Sequence, residues 1–251
     1  MKKILNSMNL IIFMMTTACG FLSIQKSFAD ADLCAKPRKI SLQKLINKSR
    51  NNTTLTLPPG CYEENLVIEG KSELAIKGWG ETGQPKTIIK GTVTIKGVTD
   101  IYLENVEFRG NQKDAALEIT SSTGFTIESN IFKNGGIDIH NNQFRENSLS
   151  IISKNIITDV NYTINTSAGI WVRNSPEQLF IYLNTVKDVN GYGIYIEGAD
   201  TNLDIASNTV INTKYTDAEN IVGIFLSRTS LYGTNARGFL TNTVVGQFHK
   251  G

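Results

Sequence analysis

Imidazole is almost missing from this chain: of 251 residues only His140 and His249 carry it, and the second lies within three residues of the end. That scarcity works against a Cys–His nucleophile. Cysteine is nearly as sparse, with only Cys19, Cys34 and Cys61. A charge excess is missing as well, since 25 Lys and Arg stand against 23 Asp and Glu. Removing residues 1–29 takes out Lys2, Lys3 and Lys26 and no acid, which leaves 22 against 23. So even a balance gives no long-range attraction to nucleic acid and leaves room only for local charge on one face. The apolar stretch from Leu10 to Leu22 is interrupted by Thr16, Thr17 and Gly20, and it is short for a membrane span.

That stretch reads instead as part of a cleaved export signal over residues 1–29. Lys2 and Lys3 form the basic start, and Ser27-Phe28-Ala29 puts small residues around a cleavage point. The competing reading is a lipid anchor at Cys19, although Thr16 stands where a lipobox usually has Leu. The expected product is a single domain over 30–251, secreted or periplasmic, with no integral span after cleavage. In such a compartment Cys34 and Cys61 are expected to pair, with two buried thiols as the alternative.

What the chain does have is a repeat. One phrase (apolar, two variable residues, Asn, one variable residue, apolar) occurs as Ile127–Asn130–Phe132, Ile152–Asn155–Ile157, Ile181–Asn184–Val186, Ile205–Asn208–Val210 and Phe239–Asn242–Val244. The Asn spacings are 25, 29, 24 and 34, and a degenerate copy, Leu103–Val106–Phe108, lies 24 residues upstream. A second phrase alternates with it: Leu117-Glu118-Ile119, Ile137-Asp138-Ile139, Ile170-Trp171-Val172, Ile194-Tyr195-Ile196 and Ile224-Phe225-Leu226, the last four directly after Gly136, Gly169, Gly193 and Gly223.

Apolar–any–apolar is the mark of a short strand with one buried face. Each unit then holds three strands: the Gly-led one, one ending just before the Asn and one just after it. Stacking such units predicts a parallel β-helix with coils from about residue 55 to about residue 246. The Asn column would hydrogen-bond up the stack and satisfy the backbone at a tight bend. A leucine-rich horseshoe is disfavoured, because no Leu-x-x-Leu-x-Leu phrase and no intervening helix is present. Ile40, Leu42, Leu45 and Ile46, with Ser41 as N-cap, predict a short helix that plugs the first coil.

The segment that opens Leu55-Thr-Leu57-Pro58-Pro59-Gly60 resembles the start of the pectin lyase-like superfamily. Gly60, Tyr62, Glu64, Leu66 and Ile68 reproduce the Gly-x-Tyr-x-Glu-x-Leu-x-Ile phrase of pectinesterases. With the coils, the resemblance covers about residues 38–246, and it implies an all-β, right-handed parallel β-helix. It implies no particular enzyme. The pectinesterase Gln-Asp, Asp-Phe-Ile-Phe-Gly and Arg-Pro-Trp segments are missing. So are the polygalacturonase Asn-Thr-Asp and Gly-His-Gly and the pectate lyase Trp-Ile-Asp-His. Asn165-Thr166-Ser167 and Ile139-His140-Asn141 are the nearest words and do not match.

In the Gly-led strand the apolar pair points inward, so two outward columns follow. One reads Thr94, Glu118, Asp138, Trp171, Tyr195, Phe225; its neighbour reads Lys96, Thr120, His140, Arg173, Glu197, Ser227. The resemblance implies that this face floors a polysaccharide groove. Trp171, Tyr195 and Phe225 are the candidates for substrate binding, covered or flanked by insertions Asn141–Ser150, Thr158–Ala168, Asn212–Ile221 and Arg228–Gly238. Asp138, His140, Arg173 and Glu197 are the candidates for catalysis. Adjacent Glu118 and Asp138 would either share a cation, of which calcium is one candidate, or push one carboxyl pKa upward.

Two functions follow. One is a lyase or hydrolase of an acidic, uronate-containing polymer. Elimination would need Arg173 or a cation on the uronate together with a base, and hydrolysis would need two carboxylates such as Asp138 and Glu197. The other is a non-catalytic carbohydrate-binding or surface β-helix protein. After Gly246 the final coil is expected to be covered by the last residues, by a partner, or by chain beyond this sequence.

Overall fold

The computed structural model describes residues 33–143, 145, 148–161, 167–175, 178–198, 203–215, 221–227 and 238–246. The expected signal, Cys19 and His249 lie outside them. The rest is a parallel β-solenoid of three sheets, with eight, eight and seven strands. Within one coil the chain passes from the first sheet (Thr123–Glu128) to the second (Ile131–Lys133) and the third (Ile137–His140). Each strand pairs in parallel with its equivalent one coil away, Ile127 with Ile152, Phe132 with Ile157, Ile139 with Val172. The register is the one the two phrases imply.

The inward columns make the core. Phe108, Phe132, Ile157 and Val186 from the second sheet are fully buried, as are Ile119, Ile139, Val172 and Ile196 from the third. Each such side chain contributes about 1.5–3 kcal/mol on burial. Phe108 and Phe132 stack one coil apart, with centroids 4.8 Å apart. The repeated glycines have a steric reason. A Cβ on Gly193 would collide with Val210 Cγ1 of the second sheet, and one on Gly169 with Val186 Cγ1.

The Asn column sits at the corner between the first and second sheets. Asn155 Nδ2 donates to Ile127 O (2.8 Å) and to Asn184 Oδ1 (3.0 Å), and that same oxygen accepts from Asn155 N–H (3.0 Å). Asn130, Asn184 and Asn208 repeat the pattern, and in the degenerate coil Val106 N–H donates to Asn130 Oδ1 at 3.0 Å. The bend forces the residue before each Asn into the left-handed region: Ser129, Lys154, Leu183 and Ser207 have φ of 57°, 55°, 58° and 55°. Such angles are unfavourable without glycine, and the ladder holds them in place.

The first coil is closed as expected. Helix α1 (Leu42–Lys48) carries Ser41 at its N-cap. Glu64 accepts from the Ser41 hydroxyl (3.0 Å) and from the Leu42 and Gln43 amides, which locks the helix N-terminus to the coil. The Gln43 side chain then pairs with the edge of the third sheet, donating to Val67 O (2.8 Å) and accepting from Val67 N–H (2.7 Å). Glu64, part of the opening phrase, therefore acts as scaffold. A disulfide joins Cys34, in a short 3-10 turn, to Cys61 in the second sheet. No helix among the described residues is long and apolar enough to cross a membrane.

Candidate functional site

The third sheet carries both outward columns in the order the register implies. Glu118, Asp138, Trp171, Tyr195 and Phe225 are successive partners, and so are Thr120, His140, Arg173, Glu197 and Ser227. Insertions border the floor on both sides, and two of them are tied back across one or two coils. Arg145 reaches Asp100 (3.1 Å) at the third-to-first-sheet edge. At the second-to-third-sheet edge, Thr213 donates to Asp188 through N–H and hydroxyl (2.8 Å each) while Lys214 pairs with Asp159. The insertions are shorter than expected, because Leu149–Ser153, Ile156–Val160, Thr209–Asn212 and Gly238–Leu240 are strands. Residues 162–166, 216–220 and 228–237, which fall within three of the expected insertions, lie outside the described residues.

The polar half of the floor is a connected cluster. His140 lies between two carboxylates, with Nε2 3.5 Å from Glu118 Oε1 and Nδ1 3.4 Å from Asp138 Oδ1. Asp138 Oδ2 is paired with Arg173 Nη2 at 2.7 Å. Thr94 Oγ1 donates to Glu118 Oε2 at 3.3 Å. The site expected for a cation on Glu118 and Asp138 thus already has an imidazole and a guanidinium against it. No group of three His, Cys, Asp or Glu among the described residues is placed to hold a metal.

The aromatic half continues directly from it. The Arg173 guanidinium lies 4.0 Å from the Trp171 ring centroid, and Trp171 stacks on Tyr195 with centroids 5.7 Å apart and planes 14° apart. Tyr192 stacks on Tyr195 at 4.7 Å, and Phe225 closes the group 5.4 Å from both tyrosines. Strands about 4.8 Å apart bring same-column rings close enough to stack, as Trp171 and Tyr195 do, so the faces of those two turn along the solenoid axis and their edges turn outward. Flat Trp171 and Tyr195 faces toward solvent are therefore not what the column offers; Phe225, 37% exposed and tilted 57° from Tyr195, is the more open ring. Trp171 and Tyr195 are half-buried. Burial pushes the Tyr195 phenol above its ordinary range, and the Glu197 carboxylate beside it adds to the rise.

All four residues named for catalysis lie on this floor, but they are not one group. Asp138, His140 and Arg173 touch, whereas Glu197 is placed beside Tyr195. Tyr192 was missed, because the other Gly-led phrases carry no aromatic at its position: Ala168 and Val222 are its partners. Eight buried side-chain polar atoms among the described residues lack a hydrogen-bond partner, and four of them, Asp138 Oδ1, His140 Nδ1, Trp171 Nε1 and Arg173 Nε, fall in this one patch. Ordinary strand faces do not concentrate such atoms, which are usually satisfied.

Residues 91–249 match the family described as the right-handed β-helix region. No curated protein and no solved structure matches the chain.

Proposed function

The chain belongs to the right-handed β-helix family, and on that premise we propose that it binds polysaccharide, with the sugar chain lying along the outward face of the third sheet. The observation that carries this reading is the Trp171–Tyr195–Tyr192–Phe225 group set end to end with the Glu118–His140–Asp138–Arg173 cluster. A glycan presents apolar C–H surface and hydroxyls together, and a floor that is aromatic at one end and hydrogen-bonding at the other offers a partner for each. Equivalent side chains recur about every 4.8 Å along the axis, close to the advance of one sugar residue. Export of the protein to an oxidising compartment belongs to the same proposal, supported by the Cys34–Cys61 bond.

A second reading, cleavage of the bound chain by a lyase or hydrolase, rests on His140. An imidazole with carboxylates 3.5 Å and 3.4 Å from its two nitrogens is placed for proton transfer once a sugar or water completes its hydrogen bonds. Hydrolysis by Glu118 with Asp138 is the weaker form of it. His140 sits against both acids, in the space that an attacking water or a glycosidic oxygen would need.

The experiment is a polysaccharide panel scored both for retention of the protein and for new reducing or unsaturated ends. Retention without new ends is the expected result. New ends abolished by His140→Ala would move the assignment to the second reading, and retention on nothing would remove both.

A further inference from the structure

We propose that the glycan taken by this face is uncharged rather than a polyuronate; the inference rests on the glycan-binding reading above. The sequence alone pointed to an acidic polymer because Arg173 could clamp a carboxylate. The geometry points the other way, because Arg173 and Lys96, the two fixed cations of the floor, each already face a carboxylate, and the Arg173 Nε that lacks a partner is buried. Arg173 Nη2 is on Asp138 at 2.7 Å with its plane against Trp171, and Lys96 Nζ is 3.7 Å from Glu69. His140 has a carboxylate at each ring nitrogen.

The two columns carry Glu69, Glu118, Asp138 and Glu197 against Lys96 and Arg173, so negative charge is in excess once the pairs are formed. A polyanion laid along the face would meet that excess at contact distance, where like-charge juxtaposition is strongly unfavourable. Freeing Arg173 to reach a uronate would strand Asp138, whose side chain is only 19% exposed. A largely covered carboxylate that loses its guanidinium partner is destabilised. Sugar hydroxyls meet neither obstacle. They donate to the carboxylates Glu118 and Glu197, which keep their partners, while the pyranose C–H surface packs on the open Phe225 ring and the edges of Tyr195 and Trp171.

The test measures retention of the intact protein on neutral polymers (β-glucan, xylan, galactomannan), on polyuronates (polygalacturonate, alginate) and on the amino-sugar polymer chitosan. Each is run with EDTA and again with calcium, at low and at physiological salt. The expected result is retention at least about tenfold stronger on one of the neutral polymers than on either polyuronate, in both buffers. Retention on the neutral polymer should be indifferent to salt, whereas residual retention on polyuronate should rise with salt as repulsion is screened. Glu197→Gln should raise the polyuronate-to-neutral ratio by about threefold or more. Strongest retention on a polyuronate or on chitosan, in either buffer, overturns the charge inference and leaves the glycan-binding reading standing. Retention on none of the polymers takes down that reading itself.

Discussion

The Asn corner and the outward face of the third sheet share one coil-by-coil register and obey opposite rules. At the corner the same residue returns, Asn130, Asn155, Asn184, Asn208 and Asn242, and the first four amides find partners both above and below. On the face the residue changes at every step, from Glu118 to Asp138, Trp171, Tyr195 and Phe225, and buried polar atoms are left unpaired. A ladder requires identity, because each member is both donor and acceptor to its neighbours. A column that varies cannot be a ladder, so its residues answer to something outside the repeat. The corner therefore reads as stability, and the face is where the proposed glycan would lie.

Substitution should separate the two regions, and the largest effect belongs at the corner. Asn155→Leu takes the side-chain partner from Ile127 O and from the Asn130 N–H, and one of three acceptors from the Asn130 Nδ2, which keeps Leu103 O and Glu128 O. At about 1–3 kcal/mol for each unsatisfied buried group, a loss of several kcal/mol should appear as a much lower melting temperature. Asn242→Leu, at the half-buried end of the same column, should cost less. An unchanged melt for Asn155→Leu would break the comparison at its stronger end.

Gly193→Ala tests the close approach of the third sheet to the second. Its methyl would run into Val210 Cγ1, and overpacking of that kind costs about 1–3 kcal/mol. A thermal melt that barely moves would mean the repeated glycines answer to something other than packing.

Asp188, at the foot of the tied-back insertion, sharpens the boundary between the regions. Burial pushes its carboxyl up, but the two Thr213 hydrogen bonds and the nearby lysines outweigh that and hold it below the ordinary value. A depressed folded pKa contributes stability above the unfolded pKa, and that stability is lost as pH falls through the ordinary carboxylate range toward the folded value. Asp188→Asn should lower stability near neutrality by about 1 kcal/mol and flatten the acid limb of melting temperature against pH. A steeper acid limb in the variant would contradict the sign.

The smallest effect should be a gain. Leu183 is half-exposed with φ of 58°, so Leu183→Gly relieves a left-handed strain of about 1 kcal/mol, part of which the more flexible unfolded chain takes back. A slight rise in melting temperature is expected, and a clear fall would show that the Leu183 side chain contributes contacts which outweigh its strain.

The parts of the molecule that repeat were the parts legible in the sequence. The Asn phrase located the corner, and the Gly-led phrase placed Glu118 beside Asp138 and His140 beside Arg173, because register in a solenoid follows from period alone. Orientation was not legible. That Trp171 and Tyr195 would stack on each other rather than face solvent depends on strand spacing combined with ring rotamers. The engagement of Arg173 with Asp138 depends on side-chain reach. Tyr192 escaped because its two coil neighbours, Ala168 and Val222, are small or aliphatic, so no column drew attention to it. Glu64 was legible as part of a phrase, while its place at the N-terminus of helix α1 needed the three-dimensional path from residue 41 to residue 64.

The measurement that reaches the central claim most directly is Trp171→Ala, compared with the parent protein for retention on a responsive polysaccharide and for thermal stability in the same preparation. The ring joins the polar cluster to the aromatic group, contacting Arg173 on one side and Tyr195 on the other. If the face is for binding, retention should fall by about tenfold or more while the melting temperature moves far less than it does for Asn155→Leu. A melt that collapses as it does for Asn155→Leu, with retention per folded molecule unchanged, would place the aromatic column with the corner and contradict the account.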